Sequence, residues 1–202
     1  MNARLLILPL AAAALAGCAS TRLDAQWSDP AARAQPLRGA KVLVACEAYE
    51  PVVKRLCQER LAVQLVAAGA QPVLAPDAPQ ATPGRPVPED QLLATARLSG
   101  ARAVLSTTMA IAGTSAPGSG VSVGLGGFGG GRHVGGGIGV TLPIGGGQTS
   151  DAYSANSKLT DSASGRLLWT AKATSPASRD VAAQVEDLAR TVFGSAREAG
   201  LF

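Results

Sequence analysis

The chain has 202 residues, with 18 Lys+Arg against 14 Asp+Glu, a single histidine and a formal net charge of +4. That mild basicity, together with aromatic residues at 3%, provides neither the dense positive patch nor the stacking platforms that nucleic-acid recognition requires, so no nucleic-acid partner is expected. The length suits one compact domain plus irregular segments.

Met1 to Arg4 is a short basic head, Leu5 to Ala16 an apolar run, and Leu15-Ala16-Gly17-Cys18 closes it. This order describes a cleaved export signal over residues 1–17. The run is too short to remain in a bilayer as a spanning helix. Leu15-Ala16-Gly17-Cys18 resembles a bacterial lipobox. The resemblance implies that the Cys18 thiol takes a diacylglyceryl group, that cleavage falls just before it, and that the new amino group is acylated with a fatty acid such as palmitate. Each buried methylene adds roughly 0.8 kcal/mol of membrane affinity, so several chains anchor firmly. Ala19 stands where a retention signal would place Asp, which by the same resemblance implies the outer membrane of a Gram-negative cell, with the protein facing the periplasm. An ordinary signal peptide with an incidental cysteine is the alternative.

Residues 18–38, with the lipidated Cys18 at their head, lack an apolar period and are rich in Pro, Ala, Asp and Arg, the composition of a flexible tether. Trp27 interrupts it and is expected to pack on the domain rather than lie at the lipid interface. A periplasmic α/β domain is expected over 39–202. Lys41-Val-Leu-Val-Ala-Cys46 is a continuously apolar strand covered on both faces. Pro51 opens a helix on which Val53, Leu56, Cys57, Leu61, Leu65 and Ala68 recur until Gly69. Lys54, Arg55 and Arg60 share that helix as a solvated face. Gln71 to Ala75 is a second strand, Glu89 to Ser99 a helix stopped by Gly100, and Arg102 to Ile111 a third strand. Strand–helix–strand–helix–strand in this order implies parallel strands joined by right-handed crossovers.

Cys46 and Cys57 are the pair left once Cys18 is acylated. In an oxidising compartment a disulfide between them is expected, closing a short ring worth roughly 3 kcal/mol at best. Two buried thiols are the alternative. Glu47 and Glu50, at the strand-to-helix junction, are accounted for by helix capping.

Residues 112–150 form a Gly-rich insertion; the stretch 118–147 alone holds more than half of the 24 glycines. It contains G-x-G-x-x-G from Gly124 to Gly129, but a dinucleotide fingerprint needs a strand before it and a helix after it. More glycine follows instead, so no nucleotide or other cofactor is expected. Val121, Val123 and Leu125, and then Val134, Ile138, Val140 and Leu142, alternate with small residues at strand period. Folded around Gly129 to His133 they would make a hairpin serving as a partly ordered flap, or inserting into the membrane of an oligomeric assembly. Interior glycine and the lack of an aromatic girdle weigh against insertion. Ala152 to Thr160 and Arg166 to Thr174 are an antiparallel hairpin turning through Asp161 to Gly165. Asp180 to Ala199 is a final helix striped by Val181, Val185, Leu188, Val192 and Ala196. The fold class is therefore α/β: a βαβαβ core with an added antiparallel hairpin in one mixed sheet, helices packed on it, and a Gly-rich insertion.

His133 at the hairpin tip has no surrounding shell to orient it as a base or metal ligand, and the cysteines form no C-x-x-C pair. No catalytic, cofactor-binding or metal-binding residue is expected.

Leu15 to Cys18, the Lys41–Cys46 strand and its helix, Gly100-Ala-Arg-Ala-Val-Leu-Ser-Thr-Thr108, the glycine tract and Leu159-Thr-Asp-Ser-Ala-Ser-Gly-Arg-Leu-Leu-Trp-Thr170 together resemble a family of small, uncharacterised Gram-negative outer-membrane lipoproteins. The core and its D-x-x-S-G-R-L-L-W hairpin are also similar to the periplasmic domain of CsgG/LpoB-type lipoproteins. The expected function is a non-enzymatic outer-membrane lipoprotein, held by its lipid anchor, whose periplasmic domain binds another envelope protein or itself. An oligomeric secretion or transport pore built through the glycine hairpin is the alternative.

Overall fold

The computed structural model describes residues 20–34, 36–76, 86–115 and 149–202. The expected export signal, Cys18, His133 and the body of the glycine tract (116–148) lie outside the described residues. The first element departs from the sequence expectation: Arg22–Ser28, read as tether, is strand β1. It pairs antiparallel with the strand at Leu167–Thr174, Arg22 opposite Thr174 and Ser28 opposite Trp169. Backbone pairing at a sheet edge needs no apolar alternation, and here only Leu23 reaches the core. Trp27 does not pack on the domain and remains 49% exposed. A 3-10 turn over Pro30–Ala34 follows, started by the Asp29 carboxylate, which accepts from the Ala31 N–H at 2.8 Å.

The remaining elements are β2 (Lys41–Glu47), α1 (Pro51–Ala67), β3 (Gln71–Leu74), α2 (Glu89–Ser99), β4 (Ala103–Ser115), β5 (Ser150–Asp161), β6 (Leu167–Thr174) and α3 (Val181–Glu198). They form a six-stranded mixed sheet in the order β1-β6-β5-β4-β2-β3. β2 runs parallel to both neighbours, with Val42 opposite Pro72 on β3 and Ala103 on β4. β4, β5 and β6 are antiparallel. This is the expected βαβαβ core with a hairpin added.

Alternation along β2 divides the core. Val42, Val44 and Cys46 belong to the large cluster beneath α1 and α3, whereas Leu43 and Ala45 pack with Leu92 and Ala96 of α2 on the other face. Because helices cover both faces, the strand is apolar at every inner position. The helix ends follow local chemistry. Asp180 caps α3 by accepting from the Ala183 N–H at 2.9 Å. Gly100, at φ 71°, ends α2 in the left-handed region.

β4 and β5 are longer than expected and take in the ends of what reads as the Gly-rich insertion. Residues 113–115 and 150–151 are paired strand, with Ser115 opposite Ser150 and the register shifted at Ala112. Gln184 ties the start of α3 to this region; its amide donates to the Asp151 carbonyl at 2.8 Å and the Pro176 carbonyl at 2.6 Å.

Candidate functional site

In sheets with parallel strands, ligands gather beyond the carboxyl ends of those strands. Here the end of β2 delivers Glu47, Tyr49 and Glu50. Glu47 is buried and its carboxylate faces Lys54 Nζ at 3.4 Å, so it serves an ion pair rather than a helix cap. Glu50 occupies the N-cap position of α1 but makes no side-chain capping bond. Capping therefore explains neither carboxylate; proline at the first helical position removes one of the N–H groups that would need it. The Tyr153 hydroxyl is held above the usual tyrosine range by burial first, and then by the charges of Glu50 and Asp151. It stays protonated at neutral pH, a donor rather than a nucleophile.

Below this junction the structure joins Cys46 to Cys57 in a disulfide with a Cα–Cα distance of 6.0 Å. The bond links the end of β2 to the second turn of α1, and both residues are buried. Neither sulfur is a free thiolate. Beside Cys57 lies a void of about 10 Å³, lined by Leu61, Thr107, Met109, Ser157 and Val192. Its two hydroxyls satisfy each other, Thr107 Oγ1 and Ser157 Oγ lying 2.7 Å apart. That volume is near the lower limit for one water molecule and far below a substrate pocket.

On the opposite face, α2 is fastened to the hairpin. Glu89 accepts from Lys158 Nζ at 2.6 Å and from Thr160 Oγ1 at 3.0 Å. The Lys158 hydrogen bond chiefly holds the Glu89 carboxyl below the ordinary glutamate range, outweighing its partial burial. Arg97 Nε donates to the Ser162 carbonyl at 2.7 Å. This constellation locks two elements together. Among the described residues, no group of three or more His, Cys, Asp or Glu could hold a metal.

What the molecule does display is surface. The large apolar side chains most exposed on or beside α1 are Tyr49, Val52, Val63 and Val66. The inward stripe of this helix is legible in its sequence, and the outward one is not. Val52, Val63 and Val66 do fall on one side at helical spacing, but a helix apolar on both sides gives no single periodic face. Among the described residues no helix is long and apolar enough to cross a membrane.

No family model matches the chain, and no curated protein matches it. Among solved structures it is similar to the PelC dodecamer from Paraburkholderia phytofirmans, at 18% identity and a TM-score of 0.49, covering 86% of this chain and 96% of that one. It is also similar to lipoprotein GNA1162 from Neisseria meningitidis, at 17% identity and a TM-score of 0.44, covering 79% and 99%. At these levels nothing of those proteins' activities passes to this chain.

Proposed function

We propose that this chain is a lipid-anchored protein of the outer membrane whose periplasmic α/β domain is a non-catalytic interaction module. The observation that carries the reading is Leu15-Ala16-Gly17-Cys18 at the end of a basic-then-apolar leader. The Cys46–Cys57 bond supports export, since disulfides persist in oxidising compartments. The non-catalytic part of the reading rests on the sequence, whose single histidine, His133, lies in the glycine tract. The native mature protein should carry acyl mass on Cys18 by intact mass spectrometry and partition with membranes. A native chain with a bare residue 18 overturns the reading.

One observation favours a second reading, in which the glycine tract enters the membrane of an oligomeric assembly. β4 and β5 run as an antiparallel ribbon, interrupted only by a register shift at Ala112, to Ser115 and Ser150, the residues from which that tract departs. In this reading the purified protein releases dye from lipid vesicles, and excision of residues 118–147 abolishes the release. Intact vesicles in the presence of the wild type rule it out.

A further inference from the structure

We propose that the outer face of α1 is the contact between two antiparallel copies of this chain. The inference rests on the interaction-module reading and names its partner. α1 is apolar on two sides: Val53, Cys57, Leu61 and Leu65 face the core, while Val52, Val63 and Val66 are 62%, 58% and 61% exposed. At ~100° per residue, Val66, Glu59, Val52 and Val63 fall within about 60° of one another around the axis, a single stripe along a helix of ~25 Å. Tyr49, 78% exposed, immediately precedes it. Leu98 on α2 and Trp27 on β1 are also exposed, but each stands apart from such a stripe, and isolated apolar residues are ordinary on a surface.

Charge selects a second copy as the occupant. Glu59 within the stripe and Arg55 at its border, about 20° beyond Val66, stand midway along it, bonded to each other at 2.7 Å with side chains 61% and 51% exposed. Val52 stands before the pair, and Val63 and Val66 after it. The order apolar, cation, anion, apolar is its own complement when reversed. An antiparallel second copy places valines against valines and sets Arg55 against Glu59 of the second copy, twice over. A parallel arrangement would instead set like charges together, which is unfavourable. The pair is neutral as a unit, so an anionic lipid surface gains no attraction from it. The flanking Arg60 is turned away towards Glu186 of α3, at 3.5 Å.

Sedimentation of the full-length mature protein in density-matched detergent, over a range of concentrations, tests this. The wild type is expected to dimerise, and Val63→Asp to weaken the dimer at least tenfold while leaving the thermal melt in place, because Val63 is outside the core. Arg55→Glu and Glu59→Arg should each be monomeric alone, as every copy then meets its own sign. Mixed one to one they should form heterodimers, since one variant then presents two carboxylates at these positions and the other two guanidinium groups. A merely structural role for the ion pair would not produce that rescue. The proposal is overturned by a wild type that stays monomeric, a dimer indifferent to Val63→Asp, or variants that fail to associate when mixed. Loss of binding to phosphatidylethanolamine–phosphatidylglycerol vesicles by Val63→Asp, without a change in self-association, would make the face a lipid contact and likewise overturn it. Acyl mass on Cys18, measured in the same samples, shows separately whether the anchor reading holds.

Discussion

At the scale of single residues, the two tryptophans make a controlled comparison. Trp169 is fully buried under the helices, whereas Trp27 sits half in solvent on the edge strand. Truncating Trp169 to alanine should cost about 3–5 kcal/mol, the usual range for a buried aromatic. Trp27→Ala should cost no more than about 0.5 kcal/mol, as for surface changes generally. Denaturant titration followed by circular dichroism measures both. Reduction supplies a second prediction. Opening the Cys46–Cys57 ring should lower stability by up to ~3 kcal/mol, because the reduced chain recovers freedom in the unfolded state. Calorimetry with and without a thiol reductant reads the shift in melting temperature. Glu89 supplies a third, with its sign set by direction: a carboxyl held low in the folded state contributes stability above the ordinary glutamate range and loses it as pH falls through the depressed value. The gap in melting temperature between the wild type and Glu89→Gln should therefore be widest at neutral pH and close in acid. A gap that is unchanged in acid would assign Glu89 no titratable contribution to the α2–hairpin lock.

At the scale of elements, the end of α2 tests the stop signal read from Gly100. Its φ of 71° suits glycine, and a Cβ there would meet nothing within 4 Å. Gly100→Ala should therefore cost about 1–2 kcal/mol through backbone strain alone, with the denaturant m-value unchanged. The elements legible in the sequence are those whose side chains answer to a buried surface. β2 is apolar from Val42 to Cys46 because both its faces are covered, and α2 spans Glu89–Ser99 as its Gly100 stop implies. β1 is illegible for the converse reason: it joins the sheet through backbone groups, and only one of its side chains touches the core. The pairing of Cys46 with Cys57 follows from cysteine arithmetic and the compartment that the leader sequence implies. The Glu47–Lys54 ion pair does not, because a carboxylate at a strand-to-helix junction suits a cap equally well until the lysine is placed. The ends of β4 and β5 are hidden within small and polar residues, whose strand character is set by their partners across the ribbon.

At the scale of the whole molecule, the proposed lipid anchor and the described domain should be separable in function, and a single atom's change should divide them. Cys18→Ser should leave the folded domain intact and move the protein from the membrane pellet to the periplasmic extract in cell fractionation. Retention in the pellet would point to a second attachment. The join between Ser115 and Ser150 carries its own consequence. Because the departing and returning backbones are already neighbours across the ribbon, the intervening stretch subtends almost no distance, and changing its length costs only the slow logarithm of loop closure, ~0.6 kcal/mol per doubling. Evolution or an engineer could shorten, lengthen or exchange that stretch while the scaffold stays put, which makes this edge of the ribbon a natural graft point.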